Sequence, residues 1–226
     1  MANKYGVFFD LDGTLVDNEH IKAIAFSRAI EQLGGVSNPA IYEKVMGMSG
    51  PIIRNQFIAE SKAQIDSDEY FELYKSIYED LLKTELKLRQ GIVQFIDDIK
   101  SAGLKLAVVS SAYKYVVNWI IQTTSLAKYM DTIVTGDDVE NKKPNPDCFL
   151  LALERTNLLP EQVVIFEDSE VGLLAAKNAG IKSFGIRHSY NQSHDFSYVI
   201  NDYYSFEEEI HLIKQDINRV FESAIL

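Results

Sequence analysis

The sequence contains a single cysteine, Cys148. One thiol cannot form a disulfide within the chain, and it cannot build a metal site made of several cysteines. Positive charge is also scarce, because 22 Lys and Arg residues face 33 Asp and Glu residues and leave a net charge of -11. This balance argues against a broad surface for nucleic acid or anionic lipid, although it is compatible with a local basic pocket.

Long apolar runs are missing as well, because charged residues interrupt every apolar stretch before it could span a bilayer. Residues 1–7 lack the basic-then-apolar order of a signal peptide. The expectation is therefore a soluble cytoplasmic protein. The 226 residues, 46% of them hydrophobic, are enough to bury a full core and to form one large domain plus a smaller insert.

Short apolar runs rich in β-branched and aromatic residues recur along the chain and predict buried strands. These runs are residues 5–9, 104–109, 132–135, 162–166 and 181–186. Segments with helical spacing of apolar residues separate them. The alternation predicts an α/β fold in which a doubly wound, Rossmann-like parallel sheet carries helices on both faces.

The segment 17–89 interrupts this alternation, because it contains several helical patterns and no convincing strand. An amphipathic stripe with aromatic residues runs through 70–81, and such a stripe is typical of core packing rather than of a ligand site. We therefore expect a catalytic core made of residues 1–16 and 90–226, with 17–89 inserted as a helical cap domain.

Polar residues follow several predicted strands at the point where each strand ends. Asp10 and Asp12 follow the first run, Ser110 follows the second, and the acidic pair 167–168 follows the fourth. Lys143 lies in the loop after the third run. Because ligands of doubly wound sheets bind at the carboxyl ends of the strands, these side chains are expected to form one site.

The chemistry of these side chains suits a metal and a phosphoryl group. Asp10, Asp168 and, as a further candidate, Glu167 offer hard oxygen ligands of the kind that Mg²⁺ prefers. Carboxylates crowded without a cation would push one pKa upward, so a cation or a proton has to accompany them. A metal, the Lys143 ammonium and a serine hydroxyl beside free backbone N–H groups form a receptor for phosphoryl oxygens. The residues indicate Mg²⁺-dependent phosphoryl transfer.

Asp10 and Asp12 lie two residues apart, which suits a division of roles between two carboxylates. One can attack phosphorus and form an aspartyl-phosphate, while the other handles the proton of the leaving group. Gly13 permits the sharp reversal behind them, and the hydroxyl of Thr14 is expected to hydrogen-bond the backbone of the turn.

Four segments together carry a resemblance to a known family. They are DLDGTLVD at 10–17, VVSS at 108–111, KPNPD at 143–147, and FEDS at 166–169 followed by Gly172. In this order they resemble the motifs of the haloacid dehalogenase-like phosphatases. The resemblance covers essentially the whole chain, and the helical insert is similar to the small cap of the β-phosphoglucomutase-like subclass.

The resemblance implies a role for each motif residue. Asp10 is the expected nucleophile and Asp12 the expected general acid/base, with its backbone carbonyl rather than its side chain touching the metal. Ser110 and Lys143 are the expected phosphoryl contacts, and Asp168 is an expected Mg²⁺ ligand. The acid at position 12 favours a phosphatase over a dehalogenase, since haloacid dehalogenases generally lack one there.

Some assignments stay open at this point. Ser111 could bind phosphate as well as Ser110 on composition, and only the resemblance prefers Ser110. Glu167 is either a metal ligand or a hydrogen-bond partner of a neighbouring loop. Histidine is not needed for the proposed chemistry, and surface or packing roles are expected for His20, His188, His194 and His211.

Substrate choice is expected to lie in the insert, where Lys22 and Arg54 are candidates for contacting an anionic substrate. A solvated helix face is the alternative for both. Related sugar-phosphate mutases usually carry a histidine at the position of Lys22, so this lysine argues against a mutase.

Three functions compete. The first is hydrolysis of a small phosphorylated metabolite, and the second is a sugar-phosphate mutase of the β-phosphoglucomutase type. The third is a receiver domain of a signalling pathway, but receivers place their acidic pair ahead of the phosphorylated aspartate, whereas Glu167 and Asp168 come last here. A relative that has lost catalysis and only binds ligand is a further alternative. The sequence leaves the oligomeric state open.

Overall fold

The computed structural model describes residues 4–222 and 225–226, so the ends of the expected core at 1–3 and 223–224 lie outside the described residues. The strands are β1 (Gly6–Phe9), β2 (Lys105–Val109), β3 (Thr132–Val134), β4 (Val163–Glu167), β5 (Lys182–Ile186) and β6 (Asp202–Tyr203). The helices are α1 (Glu19–Gln32), α2 (Ile41–Val45), α3 (Gly50–Glu60), α4 (Ser67–Glu85), α5 (Ile92–Ser101), α6 (Lys114–Thr123), α7 (Asp147–Thr156), α8 (Glu170–Asn178) and α9 (Ile210–Val220).

The described strands form a six-stranded sheet in the order β3-β2-β1-β4-β5-β6, with parallel pairing throughout. Side chains alternate between its faces, because successive residues of a strand point in opposite directions. In β1, Val7 and Phe9 pack with α5, α6 and α9 on one face, whereas Phe8 packs with α7 and α8 on the other. The predicted α/β fold with helices on both faces is confirmed.

The five predicted runs correspond to β1–β5, with ends that differ by at most one residue. Sequence analysis missed β6, which contains only Asp202 and Tyr203 and pairs in parallel with β5. Two residues are too few to show a periodic pattern, and the first of them is charged. The strand exists because it completes the sheet edge beside β5, which is a tertiary effect.

Helices α1 to α4 lie between the first and second strands and have their own apolar cluster. Its buried members include Phe26, Tyr42, Phe57 and Tyr70. The ring of Tyr74 stacks on Phe26 with a centroid distance of 3.9 Å. These aromatic side chains hold the four helices together, as expected for the stripe through 70–81.

The chain enters and leaves this helical segment at adjacent points. The backbone N–H of Asp17 donates to the carbonyl of Lys87 at 2.9 Å, and the N–H of Arg89 donates to the carbonyl of Leu15 at 3.0 Å. Two hydrogen bonds therefore join the segment that leads into the four helices to the segment that leads out of them. Among the described residues, no helix combines the length and the apolar character needed to cross a membrane.

The register of the sheet aligns the functional motifs. Phe9 lies opposite Val108 of β2 on one side and opposite Phe166 of β4 on the other. Asp10 and Glu167, which follow Phe9 and Phe166, therefore lie at the same edge of the sheet. This edge is where three adjacent strands end.

Candidate active site

Asp10 is held at the carboxyl end of β1 through both its backbone and its side chain. Its N–H donates to the carbonyl of Phe166 at 2.9 Å, which extends the sheet by one residue. Its Oδ1 accepts a hydrogen bond from Lys143 Nζ at 2.6 Å. Its Oδ2 accepts none from the described residues, although Asp10 lines a cavity. One carboxylate oxygen is thus fixed, while the other is left without a hydrogen-bond partner among the described residues.

The Lys143 ammonium is almost fully buried and uses its donors on three neighbouring strands. Besides Asp10, it donates to Glu167 Oε1 at 2.9 Å and to the carbonyl of Val109 at 3.0 Å. Burial disfavours the charged ammonium, but the negative charges of Asp10 and Glu167 outweigh burial and raise the pKa of Lys143. The ammonium therefore stays charged and supplies a fixed positive charge beside Asp10.

Glu167 has both carboxylate oxygens occupied by hydrogen bonds. Oε1 accepts from Lys143, and Oε2 accepts from the N–H and the hydroxyl of Ser169 at 2.7 and 2.9 Å. The Ser169 hydroxyl in turn accepts from the N–H of Gly172 at 3.0 Å and caps helix α8. Glu167 thus binds Lys143 of a neighbouring loop, which is one of the two expected alternatives, and it also binds Ser169 of its own loop.

Asp168 is contacted from the loop that follows β5. The Nε2 of His188 lies 2.8 Å from Asp168 Oδ2, and the amide of Asn191 donates to the backbone carbonyl of Asp168 at 2.7 Å. Burial lowers the pKa of His188 to about 4, so its ring is neutral at pH 7. The structure thus places His188 in packing contact with Asp168 rather than at the surface.

Asp12 faces the first helix of the insert. Its Oδ1 accepts hydrogen bonds from Asn18 Nδ2 and lies 3.1 Å from Lys22 Nζ. Lys22 also contacts Glu19 Oε1 at 2.8 Å, and its side chain is only 18% exposed. Lys22 is therefore a half-buried part of the site and does not lie on a solvated helix face.

Ser110 and Ser111 both line the cavity beside Asp10. Ser110 is buried, and its hydroxyl accepts from the N–H of Ala112 at 3.1 Å, which orients the oxygen at the end of β2. Thr14 differs from expectation, because its buried Oγ1 makes no hydrogen bond with the described residues.

Arg54, the second cap candidate, does not line this cavity. Its guanidinium lies 5.2 Å from the ring centroid of Phe71, and it is Phe71 that faces the cavity. The wall that helices α1, α2 and α4 contribute to the cavity is strongly aromatic. It includes Phe26, Tyr42, Tyr74 and Tyr78.

Asp10, Glu167 and Asp168 form a buried cluster in which one carboxylate oxygen from each residue lies within 4.8 Å of the other two. Burial raises the pKa of Asp10 well above its usual value, against the opposing effect of Lys143. Burial, reinforced by the charge of Glu167, also raises the pKa of Asp168. An all-oxygen donor set with this excess of negative charge fits a hard divalent cation such as Mg²⁺.

Sequence reasoning found the residues that follow strands in recognisable motifs, but it missed the partners that hold them. Asn18 contacts Asp12 from the start of the insert, and His188 and Asn191 contact Asp168. His188 could have been predicted to lie near the site, because β5 ends at Ile186, two residues earlier.

The profile of one protein family, described as haloacid dehalogenase-like hydrolase, matches residues 7–186. The chain belongs to this family. The expectation of an enzyme of the haloacid dehalogenase-like hydrolase class is confirmed, and the receiver-domain alternative is set aside.

Three members illustrate the similarity of this haloacid dehalogenase-like hydrolase to other proteins. It is 34% identical over 190 residues to a phosphorylated carbohydrates phosphatase of Thermotoga maritima, covering 82% of this chain and 86% of that protein. It is similar to CbbY of Rhodobacter sphaeroides, solved in complex with phosphate, with a TM-score of 0.80 and 28% identity over 91% of this chain and 96% of the other. The β-phosphoglucomutase of Clostridium difficile shares the fold, with a TM-score of 0.78 at 20% identity over 97% of each chain.

Gly172 gives a test of the packing around Glu167. A Cβ at this position would lie 1.6 Å from Glu167 Oε1. Alanine normally stabilises a helix relative to glycine by about 0.5–1 kcal/mol. We expect Gly172→Ala in α8 to do the opposite and lower the free energy of unfolding by about 1–3 kcal/mol, because Glu167 must move away from Lys143. Urea denaturation measures this change.

The matched control is Gly50→Ala in helix α3, where an added Cβ meets no atom within 4 Å. Because Gly50 is the first residue of α3 and precedes Pro51, no gain in helix propensity is expected, and this variant should be about as stable as the original protein. If Gly172→Ala unfolds at the same urea concentration as the original protein, Glu167 is not tightly confined.

Proposed function

We propose that this protein is a Mg²⁺-dependent phosphatase that hydrolyses a small phosphomonoester through an aspartyl-phosphate on Asp10. The observation that carries the proposal is the carboxylate of Asp10, with one oxygen bound by Lys143 and the other unbonded beside the cavity. A fixed cation next to a free carboxylate oxygen favours approach of an anionic phosphoryl group to that oxygen. The similarity to named phosphatases supports the same reaction class.

In the first step, an oxygen of Asp10 forms a bond to phosphorus while the ester P–O bond breaks, and Asp12 gives a proton to the leaving alcohol. In the second step, the Asp12 carboxylate takes a proton from water, whose oxygen attacks phosphorus. The bond between phosphorus and Asp10 then breaks and frees phosphate. Lys22 and Asn18 hold the Asp12 side chain toward the cavity for both proton transfers.

Ser110 and Lys143 are the proposed phosphoryl contacts, with Ser111 as a neighbouring hydroxyl at the same strand end. The buried ammonium and the oriented hydroxyl offer donors to phosphoryl oxygens whose charge changes during the reaction. The structure of CbbY in complex with phosphate supports the assignment of a phosphate site to this fold.

Asp10, Asp168 and the backbone carbonyl of Asp12 are the residues proposed to hold Mg²⁺. Glu167 is the weaker candidate ligand, because Lys143 and Ser169 already occupy its two oxygens. When bound, the cation would neutralise carboxylate charge and attract the phosphoryl oxygens.

Residues 17–89 are the proposed cap, and residues 1–16 and 90–226 the proposed catalytic core. Aromatic rings of the cap, among them Phe26, Tyr74 and Tyr78, face the cavity opposite Asp10. These rings can pack on an apolar face of the organic part of a small phosphorylated metabolite. Lys22 is proposed to orient the carboxylate of Asp12. Arg54 is proposed to stabilise the ring of Phe71, which lines the cavity.

The function is tested by incubating the purified protein with a panel of phosphorylated metabolites and measuring released phosphate. We expect release from at least one compound in the presence of Mg²⁺ and none after chelation with EDTA, with recovery when Mg²⁺ is restored. Release that continues unchanged in EDTA would contradict the metal requirement.

The nucleophile is tested by Asp10→Asn, which keeps the shape of the side chain and removes its negative charge. We expect hydrolysis of p-nitrophenyl phosphate to fall by at least about 10³-fold, because the amide cannot form the phosphoenzyme. The circular dichroism spectrum should be unchanged. Asp80→Asn, at a side chain that is 73% exposed, serves as the control and should retain full activity. Comparable activity in both variants would remove Asp10 from the mechanism.

A mutase of the β-phosphoglucomutase type begins with the same attack, so its product must be tested separately. With glucose 1-phosphate as substrate, we expect free phosphate and no glucose 6-phosphate, because Lys22 replaces the histidine usual in those mutases. Phosphorus-31 NMR resolves the two products. Accumulation of glucose 6-phosphate would favour the mutase.

A further inference from the structure

The loop after β5 makes a specific contact with Asp168. His188 is two residues beyond the strand, and its side chain is only 10% exposed. Its Nε2 lies 2.8 Å from Oδ2 of Asp168, whereas Oδ1 of Asp168 accepts no hydrogen bond from the described residues. Asp168 lines the cavity, and its carboxylate has one oxygen held by His188 and one without a hydrogen bond from the described residues.

The hydrogen-bonding roles of the His188 ring follow from its other nitrogen. The backbone N–H of Tyr190 donates to Nδ1 of His188 at 3.2 Å. A nitrogen that accepts a hydrogen bond carries no proton, so the proton of the neutral ring is on Nε2. Nε2 is therefore the donor, and the Asp168 oxygen is the acceptor.

Asn191 holds the same loop from three sides. Its side-chain amide donates to the backbone carbonyls of Asp168 and Ile186, both at 2.7 Å, and its Oδ1 accepts from the N–H of His188 at 2.9 Å. Asn191 is completely buried. Two sets of hydrogen bonds therefore join His188 to Asp168. One links their backbones through the Asn191 side chain, and the other links the ring Nε2 to the carboxylate.

The oxygen that contacts His188 is also closely packed. A Cβ at Gly13 would lie 2.0 Å from Asp168 Oδ2, so that oxygen is packed against the turn that follows Asp12. Gly13 and His188 therefore both limit the position of Oδ2. Rotation about its last side-chain bond would require breaking the bond to Nε2.

We propose that His188 is a positioning residue that donates a hydrogen bond to Asp168 and holds its free oxygen toward the bound divalent cation. The proposal rests on the cation site of the proposed function. Outer partners that orient a ligand typically change metal affinity or activity by about 10- to 100-fold when they are removed. His188 should therefore determine how tightly the protein binds Mg²⁺ before any substrate is present.

The test compares two amides of different length. In His188→Gln the amide nitrogen can reach the place of Nε2, whereas in His188→Asn it is one bond shorter and reaches only the place of Nδ1. Isothermal titration calorimetry with MgCl₂ on the substrate-free protein measures the Kd. We expect His188→Asn to weaken Mg²⁺ binding by about 10-fold or more and His188→Gln to recover most of the affinity.

His211→Asn, at an exposed histidine of α9, is the control and should bind Mg²⁺ like the original protein. Thermal unfolding without Mg²⁺ shows whether each variant is folded, and His188→Leu provides a second variant without a donor. Equal Mg²⁺ affinity of the folded Asn, Gln and original proteins would overturn the proposal, as would an original protein that binds no Mg²⁺. Because calorimetry needs no substrate, a protein that binds Mg²⁺ but releases no phosphate would contradict only the proposed function.

Discussion

The arrangement of the site depends on the hydrogen bonds of the buried Lys143 ammonium. The ammonium donates to Asp10 after β1, to Val109 in β2 and to Glu167 in β4, so one cation joins the ends of three adjacent strands. A charge removed from water is tolerated only when it is paired and hydrogen-bonded, and each partner here requires the other. The arrangement therefore confines the side chains to one geometry.

The constraint extends outward from Glu167 to helix α8. The second oxygen of Glu167 binds Ser169, and Ser169 caps the helix through Gly172. The position of the ammonium is thus coupled to the start of a helix packed on the sheet. A parallel sheet with strands ending at one edge brings distant parts of the chain into this contact.

Much of the core was predictable from local patterns. Buried strands of a parallel sheet are short, continuous apolar runs, and the residues at their ends fall at one edge whatever the details of packing. The sequence alone could therefore predict one site that contains Asp10, Ser110, Lys143 and Asp168. Contacts made by irregular loops could not, because the placement of His188 against Asp168 depends on the turn at Tyr190 and on Asn191. Lys22 could be placed on a helix from the sequence, but the direction of its side chain could not be predicted. The side chain points toward Asp12 and Glu19, and these two carboxylates come together only after residues 17–89 have packed.

The paired hydrogen bonds between 15–17 and 87–89 have an evolutionary consequence. Because the two ends of the helical insert meet, the insert forms a closed loop on the sheet. A change in the length of the segment between these ends therefore need not move the strands. Substitutions, insertions or replacement of the segment between these ends can alter which molecules are admitted while the strand-end residues keep their positions. In the proposed enzyme, selection can in this way act on recognition and on bond-making chemistry separately, while helices α1 and α4 keep their packing on the core through residues such as Ile21 and Leu82.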